Sequence, residues 1–308
     1  MGHGLIEVKG KTCLITGANS GLGKAIAIDM ACRGASVFMA CRKMYRDAQA
    51  EIIERSGNAD VDLRVVDLSS LQSVAEFCDG LGEDGVHLDL VFLNAGMASV
   101  SNTLSKDGFS LIWQVNYLSN ALMVMRMLRD DVIPNNVFSK TKEIAAFTPR
   151  LIFTSSSRHR EKYDVDPENF GKLNDFRVRD TLRWYGWSKL YLMTFIWELG
   201  RRLNLGGKPD VSVHSFCPGP FRSRIGRGAG WIGRLAISLM PTSAEKAAYP
   251  AIHLATASDL EGKTLQYMHK RIFEQPDERV LDAVLGEKLW NETLRLLTEL
   301  EYWLVEDK

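Results

Sequence analysis

Six continuous apolar or β-branched runs, at residues 11–16, 36–41, 61–66, 88–93, 150–155 and 211–217, alternate along this chain with helical patterns. The helical stretches lie at 21–33, 43–55, 70–80, 109–133, 184–204 and 243–255, and a weaker apolar run stands at 264–267. Strands separated by helices need crossover connections, and these build a parallel sheet with helices on both faces. The runs are solidly apolar, as strands covered on both sides must be. The expected architecture is α/β: a doubly wound, seven-stranded, mostly parallel sheet in a three-layer αβα arrangement. No repeat, low-complexity tract or linker interrupts residues 1–308, so one domain is expected, with its core at about 10–270.

Thr16-Gly17-Ala18-Asn19-Ser20-Gly21-Leu22-Gly23 follows the first run and opens the first helix. A strand, a glycine turn and a helix suit a dinucleotide pyrophosphate. Glycines let the backbone approach the phosphates, and the helix N-terminus offers free N–H groups and a positive dipole end. Further features come in order: Asn94-Ala95-Gly96 ending the fourth run, Asn116 on a long helix, Ser156 closing the fifth, Tyr185-Gly186-Trp187-Ser188-Lys189, and Pro218-Gly219 after the sixth. Together these resemble the short-chain dehydrogenase/reductase family and its Rossmann-like fold. Trp-Ser-Lys-Leu after Tyr185, and Ala40-Cys41-Arg42 after the second run, resemble its retinol dehydrogenase and WW-domain oxidoreductase branch.

The resemblance implies an NADP(H)- or NAD(H)-dependent oxidoreductase. An acidic residue at the end of the second strand would bond the ribose hydroxyls and repel a 2′-phosphate. Cys41 stands there, followed by Arg42, whose guanidinium can grip a phosphate and stack on adenine. NADP(H) is therefore the expected cofactor, with Lys43 a second candidate contact; a solvated loop arginine is the other reading of Arg42. Asp67, followed by Leu68, resembles the family's adenine-amine acceptor, and equally suits a helix N-cap.

Hydride transfer to a carbonyl leaves an alkoxide that needs a proton from a nearby acid. Tyrosine has a reference pKa near ~10. A lysine four residues on lies on the same helix face. At roughly 5 Å and an effective dielectric of about 20, its charge favours a tyrosinate by ~3 kcal/mol, or about two pKa units, unless desolvation cancels the effect. Tyr185 is the expected acid and Lys189 its partner. Tyr163 is the rival tyrosine, but Pro167 stands where the lysine would be. Ser155, Ser156 and Ser157 compete to polarise the substrate oxygen, and the family's strand end places that hydroxyl at Ser156. The resemblance makes Asn116 a proton-relay asparagine; bonding a helix backbone is its alternative. It gives Asn94 a strand-tying role, has Ala95 and Gly96 leave room for the cofactor, and turns the chain at Pro218-Gly219. Ser223 stands where the family has threonine, flanked by Arg222 and Arg224.

Lys+Arg and Asp+Glu number 38 each, which argues against nucleic acid as a partner. The scattered cysteines and six histidines show no metal-ligand spacing. Relatives in the resembled branch often carry an N-terminal anchor, whereas Met1–Lys9 is too short for one. A soluble, cytoplasmic protein is expected, with peripheral membrane association left open. The pocket is expected to be walled by residues 97–100, the segment after Ser156, Trp187 and an apolar lid at about 220–242. That favours a lipophilic carbonyl or alcohol, such as a retinoid, steroid or xenobiotic. The stretches 134–149 and 158–183 read as an exposed insertion and a rim flap, and 285–305 as a C-terminal helix. Helix 184–204 is apolar nearly all round, which suits either a homodimer core or burial under the chain's own insertions. An NADPH-binding regulatory or scaffold protein with little catalysis is the alternative function.

Overall fold

The computed structural model describes residues 4–98, 103–139, 147–162, 181–204, 206–221 and 242–303. Its strands are β1 (Thr12–Thr16), β2 (Ser36–Cys41), β3 (Val61–Val65), β4 (Leu90–Leu93), β5 (Arg150–Thr154), β6 (Ser212–Cys217), β7 (Gln266–His269) and β8 (Ile272–Glu274). They form one sheet in the order β3-β2-β1-β4-β5-β6-β7-β8, parallel except for β8. The sheet thus has eight described strands where seven were expected. The extra strand is three residues long and joins β7 through a turn at Lys270, which has a φ of 57°. No glycine or asparagine marks that turn in the sequence, so the usual hairpin signal is missing.

Strand order reverses between β1 and β4, and a crevice opens there beyond the carboxyl ends of the strands. Helices α1 (Gly21–Cys32) and α2 (Arg46–Ser56) cover one face. Helices α3 (Leu71–Glu83), α4 (Leu111–Trp113), α5 (Ser119–Arg129) and α6 (Thr181–Arg202) cover the other. A π turn at Gln114–Leu118 joins α4 to α5. Helices α7 (Ala244–Ala247) and α8 (Tyr249–Thr256) return to the first face, and α9 (Glu278–Leu281) and α10 (Ala283–Glu299) to the second. No helix among the described residues is long and apolar enough to cross a membrane.

The C-terminal helix α10 buries Leu289, Trp290 and Leu297 against α6. Trp290 stacks on Phe195 at 5.6 Å and on Phe138 at 6.0 Å. This corrects two expectations. Residues 134–139 are not an exposed insertion: Asn135 is buried, donates to Leu128 O and Ile133 O, and accepts from three backbone N–H groups, Val137 to Ser139. The face of helix 184–204 expected to meet a symmetry mate is filled from within, since Leu190, Phe195, Leu199 and Leu203 are all buried in the single chain.

Arg150 opens β5 and is buried. Its guanidinium donates to Leu254 O, Ala255 O and Ala257 O at 3.0–3.3 Å, capping the end of α8, and pairs with Glu261 at 2.9 Å. Replacing it by Met strands those carbonyls away from water. Arg150→Met is expected to lower unfolding stability by about 3 kcal/mol, read from the urea midpoint.

Candidate active site

The glycine loop sits at the head of the crevice. Gly17 has a φ of 70° and Gly21 a φ of 56°, values that favour glycine. A Cβ on Gly23 would lie 2.4 Å from Gly17 O and 2.6 Å from the Asn94 amide nitrogen, so helix and turn meet there by backbone contact. Ser20 precedes α1 without capping it through its side chain, which leaves the first N–H groups of the helix without a cap from that side chain. Asn94 ties the strand ends together: its amide donates to Thr16 O at 3.0 Å, and its oxygen accepts from the Thr154 hydroxyl at 3.4 Å. The Thr16 hydroxyl accepts from Asn94 N and Ala95 N, both at 2.9 Å.

A cleft of about 830 Å³ runs from this loop to the ends of β5 and β6. Gly17, Asn19 to Gly23, Arg42, Asp67, Leu68, Asn94 to Gly96, Ser156, Tyr185, Pro218 and Gly219 all line it. Asn116 and Lys189 lie just behind: a Cβ on Gly96 would sit 3.1 Å from the Asn116 oxygen and 3.5 Å from Lys189 Nζ. Arg222, Ser223, Arg224 and the lid from 222 to 241 lie outside the described residues, as do Tyr163, the pocket-wall residues 99–100 and the flap from 163 to 180.

At the far end the Ser156 side chain stands beside the Tyr185 phenol. Burial pushes that phenol up to about 12, and Ser156 works the other way. Lys189 is buried, and burial lowers its pKa to about 8. Its Nζ donates to Thr154 O at 2.8 Å and lies 5.8 Å from the Tyr185 ring centre. Burial is the largest influence on the Tyr185 phenol, which therefore stands above its ordinary value. Asn116 sits in the π turn, accepts from Met97 N at 2.8 Å, and donates to Met97 O and the Ser188 hydroxyl, each at 2.9 Å. It thus ties the loop after β4 to α6 and does not bond its own helix.

All three competing serines line the cleft: Ser155 is buried, Ser156 half-buried and Ser157 exposed. Trp187 is not a pocket wall; it packs into the core against Tyr191 at 4.9 Å. Two positions along a helix from Tyr185 is a different face.

At the other end, Cys41 is buried and turned away from the crevice. Burial pushes its thiol up to about 11, and the nearby Asn19 and Ala18 backbone works the other way. Arg42 is exposed on the cleft wall and forms no ion pair with another described residue. Asp67 is not the N-cap of α3; Ser70 is, accepting from Ser73 N at 3.3 Å. The Asp67 carboxylate accepts from Ser69 N and its hydroxyl and pairs with Lys106 at 3.0 Å. Burial works upward on that carboxyl, yet those partners together hold it below its usual range. Lys106, unmarked in the sequence, also lines the cleft.

A glycine loop at a helix N-terminus, a guanidinium with no ion pair to another described residue and a Tyr–Ser pair backed by buried Lys189 along one crevice define a dinucleotide-dependent oxidoreductase. A model of the family described as short chain dehydrogenase matches residues 11–135. Retinol dehydrogenase 13 of Homo sapiens is 32% identical over 301 residues, 94% of this chain and 85% of its own. The WW domain-containing oxidoreductase of Gallus gallus is 31% identical over 306 residues, 95% of this chain and 69% of its own. The chain belongs to the short-chain dehydrogenase/reductase family, in its retinol dehydrogenase-like branch. Among solved structures, an uncharacterized protein from Mycobacterium Paratuberculosis superposes with a TM-score of 0.72 at 25% identity, over 96% of both chains. Pseudomonas aeruginosa RhlG, solved in a complex with NADP, shares the fold at a TM-score of 0.60, 23% identity, 85% of this chain and 95% of its own.

Proposed function

We propose that the protein interconverts a lipophilic carbonyl and its alcohol, with NADP(H) as cofactor and Tyr185 as the acid/base. The observation that carries this reading is the meeting of Ser156 and Tyr185 on the wall of one cleft, with buried Lys189 directly behind it. The α1 N-terminus, which the Ser20 side chain does not cap, and the backbone packing of Gly17 on Gly23 suit a pyrophosphate, and Arg42, with no ion pair to another described residue, suits a 2′-phosphate. Asp67 and Leu68 border the adenine side. When bound, the nicotinamide gives or accepts the hydride.

In the reducing direction the Ser156 hydroxyl holds the carbonyl oxygen, and the Tyr185 phenol gives it a proton as charge builds there. Lys189 supplies the positive charge that makes the phenol a better acid. Exposed Leu104 and Leu182 line the cleft beside Met97, Leu111 and Val115, an apolar wall that favours a retinoid, steroid or xenobiotic over a sugar.

The test is oxidation of NADPH and NADH against retinal, steroid ketones, quinones and small aldehydes. Turnover is expected with NADPH. Arg42→Ala is expected to raise KM for NADPH about 10- to 100-fold and leave that for NADH unchanged, the size of a lost charge-assisted bond. Silence with both cofactors, despite tight NADPH binding, favours a regulatory binding protein instead.

A further inference from the structure

The buried imidazole of His159 lies three residues beyond Ser156, in a 3₁₀ turn at Ser157–Arg160. Its Nε2 accepts the backbone N–H of Asp277 at 3.2 Å. A nitrogen that accepts carries no proton, so in the neutral ring the hydrogen sits on Nδ1. That nitrogen is 2.6 Å from Ser156 O, and donates to it.

The ring is held on its other sides as well. Its edge meets the Tyr267 ring of β7 at 5.4 Å. The Arg279 guanidinium donates to His159 O at 3.1 Å and to Glu161 O at 2.9 Å. Ser157 N, next to the serine, donates to Cys217 Sγ at 3.2 Å. The serine's turn is thus braced from behind by β6, β7 and the segment leading into α9.

We propose that His159 is a positioning residue for Ser156: its Nδ1–H fixes the Ser156 peptide, and so the direction of the hydroxyl, to the C-terminal segment at Asp277–Arg279. The inference rests on the reading of Ser156 as the hydroxyl that holds the substrate oxygen. Misplacing such a group by about 1 Å costs on the order of 100-fold in rate. His159 touches neither the cleft nor the substrate, so its whole effect passes through Ser156.

Two amide variants each keep one of its bonds. In His159→Asn the amide nitrogen takes the place of Nδ1 and still donates to Ser156 O. In His159→Gln the amide oxygen reaches the Nε2 place and still accepts from Asp277 N, while Ser156 O loses its donor. Measured per folded protein, His159→Asn is expected to keep kcat within about threefold of the parent. His159→Gln is expected to lower kcat about 10- to 100-fold with the KM for NADPH unchanged. In a Ser156→Ala background the same Gln substitution is expected to change nothing further. Equal kcat in the two variants, with both merely less stable, overturns the proposal. So does a Gln effect that persists in full without the serine hydroxyl. Full activity of Ser156→Ala alone overturns the serine reading and the positioning role with it.

Discussion

Tyr185→Phe is expected to lower kcat by about 10³-fold while leaving NADPH affinity within a factor of two, because a positioned acid contributes about 10²- to 10⁴-fold. The ring remains to fill the cleft wall, and only the proton donor disappears. The pH dependence follows from the same groups. With the phenol pushed up to about 12, it is protonated at neutral pH and ready to donate. Reduction should therefore be level from about pH 6 to 8. Above about 8 the buried Lys189 loses its charge, the phenol loses its nearest cation, and reductive kcat/KM should fall. Alcohol oxidation needs the proton removed, so its kcat/KM should rise with pH over the same range. A Phe variant that reduces a carbonyl at near-parent rate removes Tyr185 from the chemistry.

The parallel sheet and the crevice were legible because continuous apolar runs and a glycine turn are strong, local signals. Gly17 and Gly23 announce a backbone contact that any side chain would block. The shape of the far end was less legible. His159 lies between Arg158 and Arg160, a pattern that reads as a solvated turn, and only the fold brings Asp277 and Tyr267 over it. The state of Tyr185 was left open by the sequence for a related reason. Sequence spacing reports how near the lysine is, but not how much water burial removes from both groups. Helix 184–204 shows the same limit. Its all-round apolarity demands a cover, and whether that cover is a second chain or its own C-terminal helix depends on a stretch about ninety residues downstream.

Lys189→Met separates stability from chemistry. Burial lowers the lysine pKa from 10.5 to about 8, so at pH 7 the folded protein holds an ammonium in a place that disfavours charge. That shift corresponds to about 3 kcal/mol of lost stability at pH 7. Methionine has nearly the same length and carries no charge, but it leaves Thr154 O without the bond Lys189 gives it. The net expectation is a gain of about 1 to 2 kcal/mol at pH 7, read from urea midpoints, together with a loss of turnover of about 10³-fold. The sign also sets a window. Between pH 8 and 10.5 the unfolded chain binds a proton at this position that the folded protein does not, so the parent gains stability as pH rises. The advantage of the variant should therefore shrink across that window, cross zero near pH 9 and become a deficit of about 1 to 2 kcal/mol at its upper end, where only the lost bond to Thr154 O remains. A variant that is less stable at pH 7, or whose advantage does not fade by pH 10, shows that the ammonium is held in the fold at no cost. A more stable, inactive variant shows that a charged group is kept at a position where packing alone would select an apolar one, as a catalytic site requires and a structural site does not.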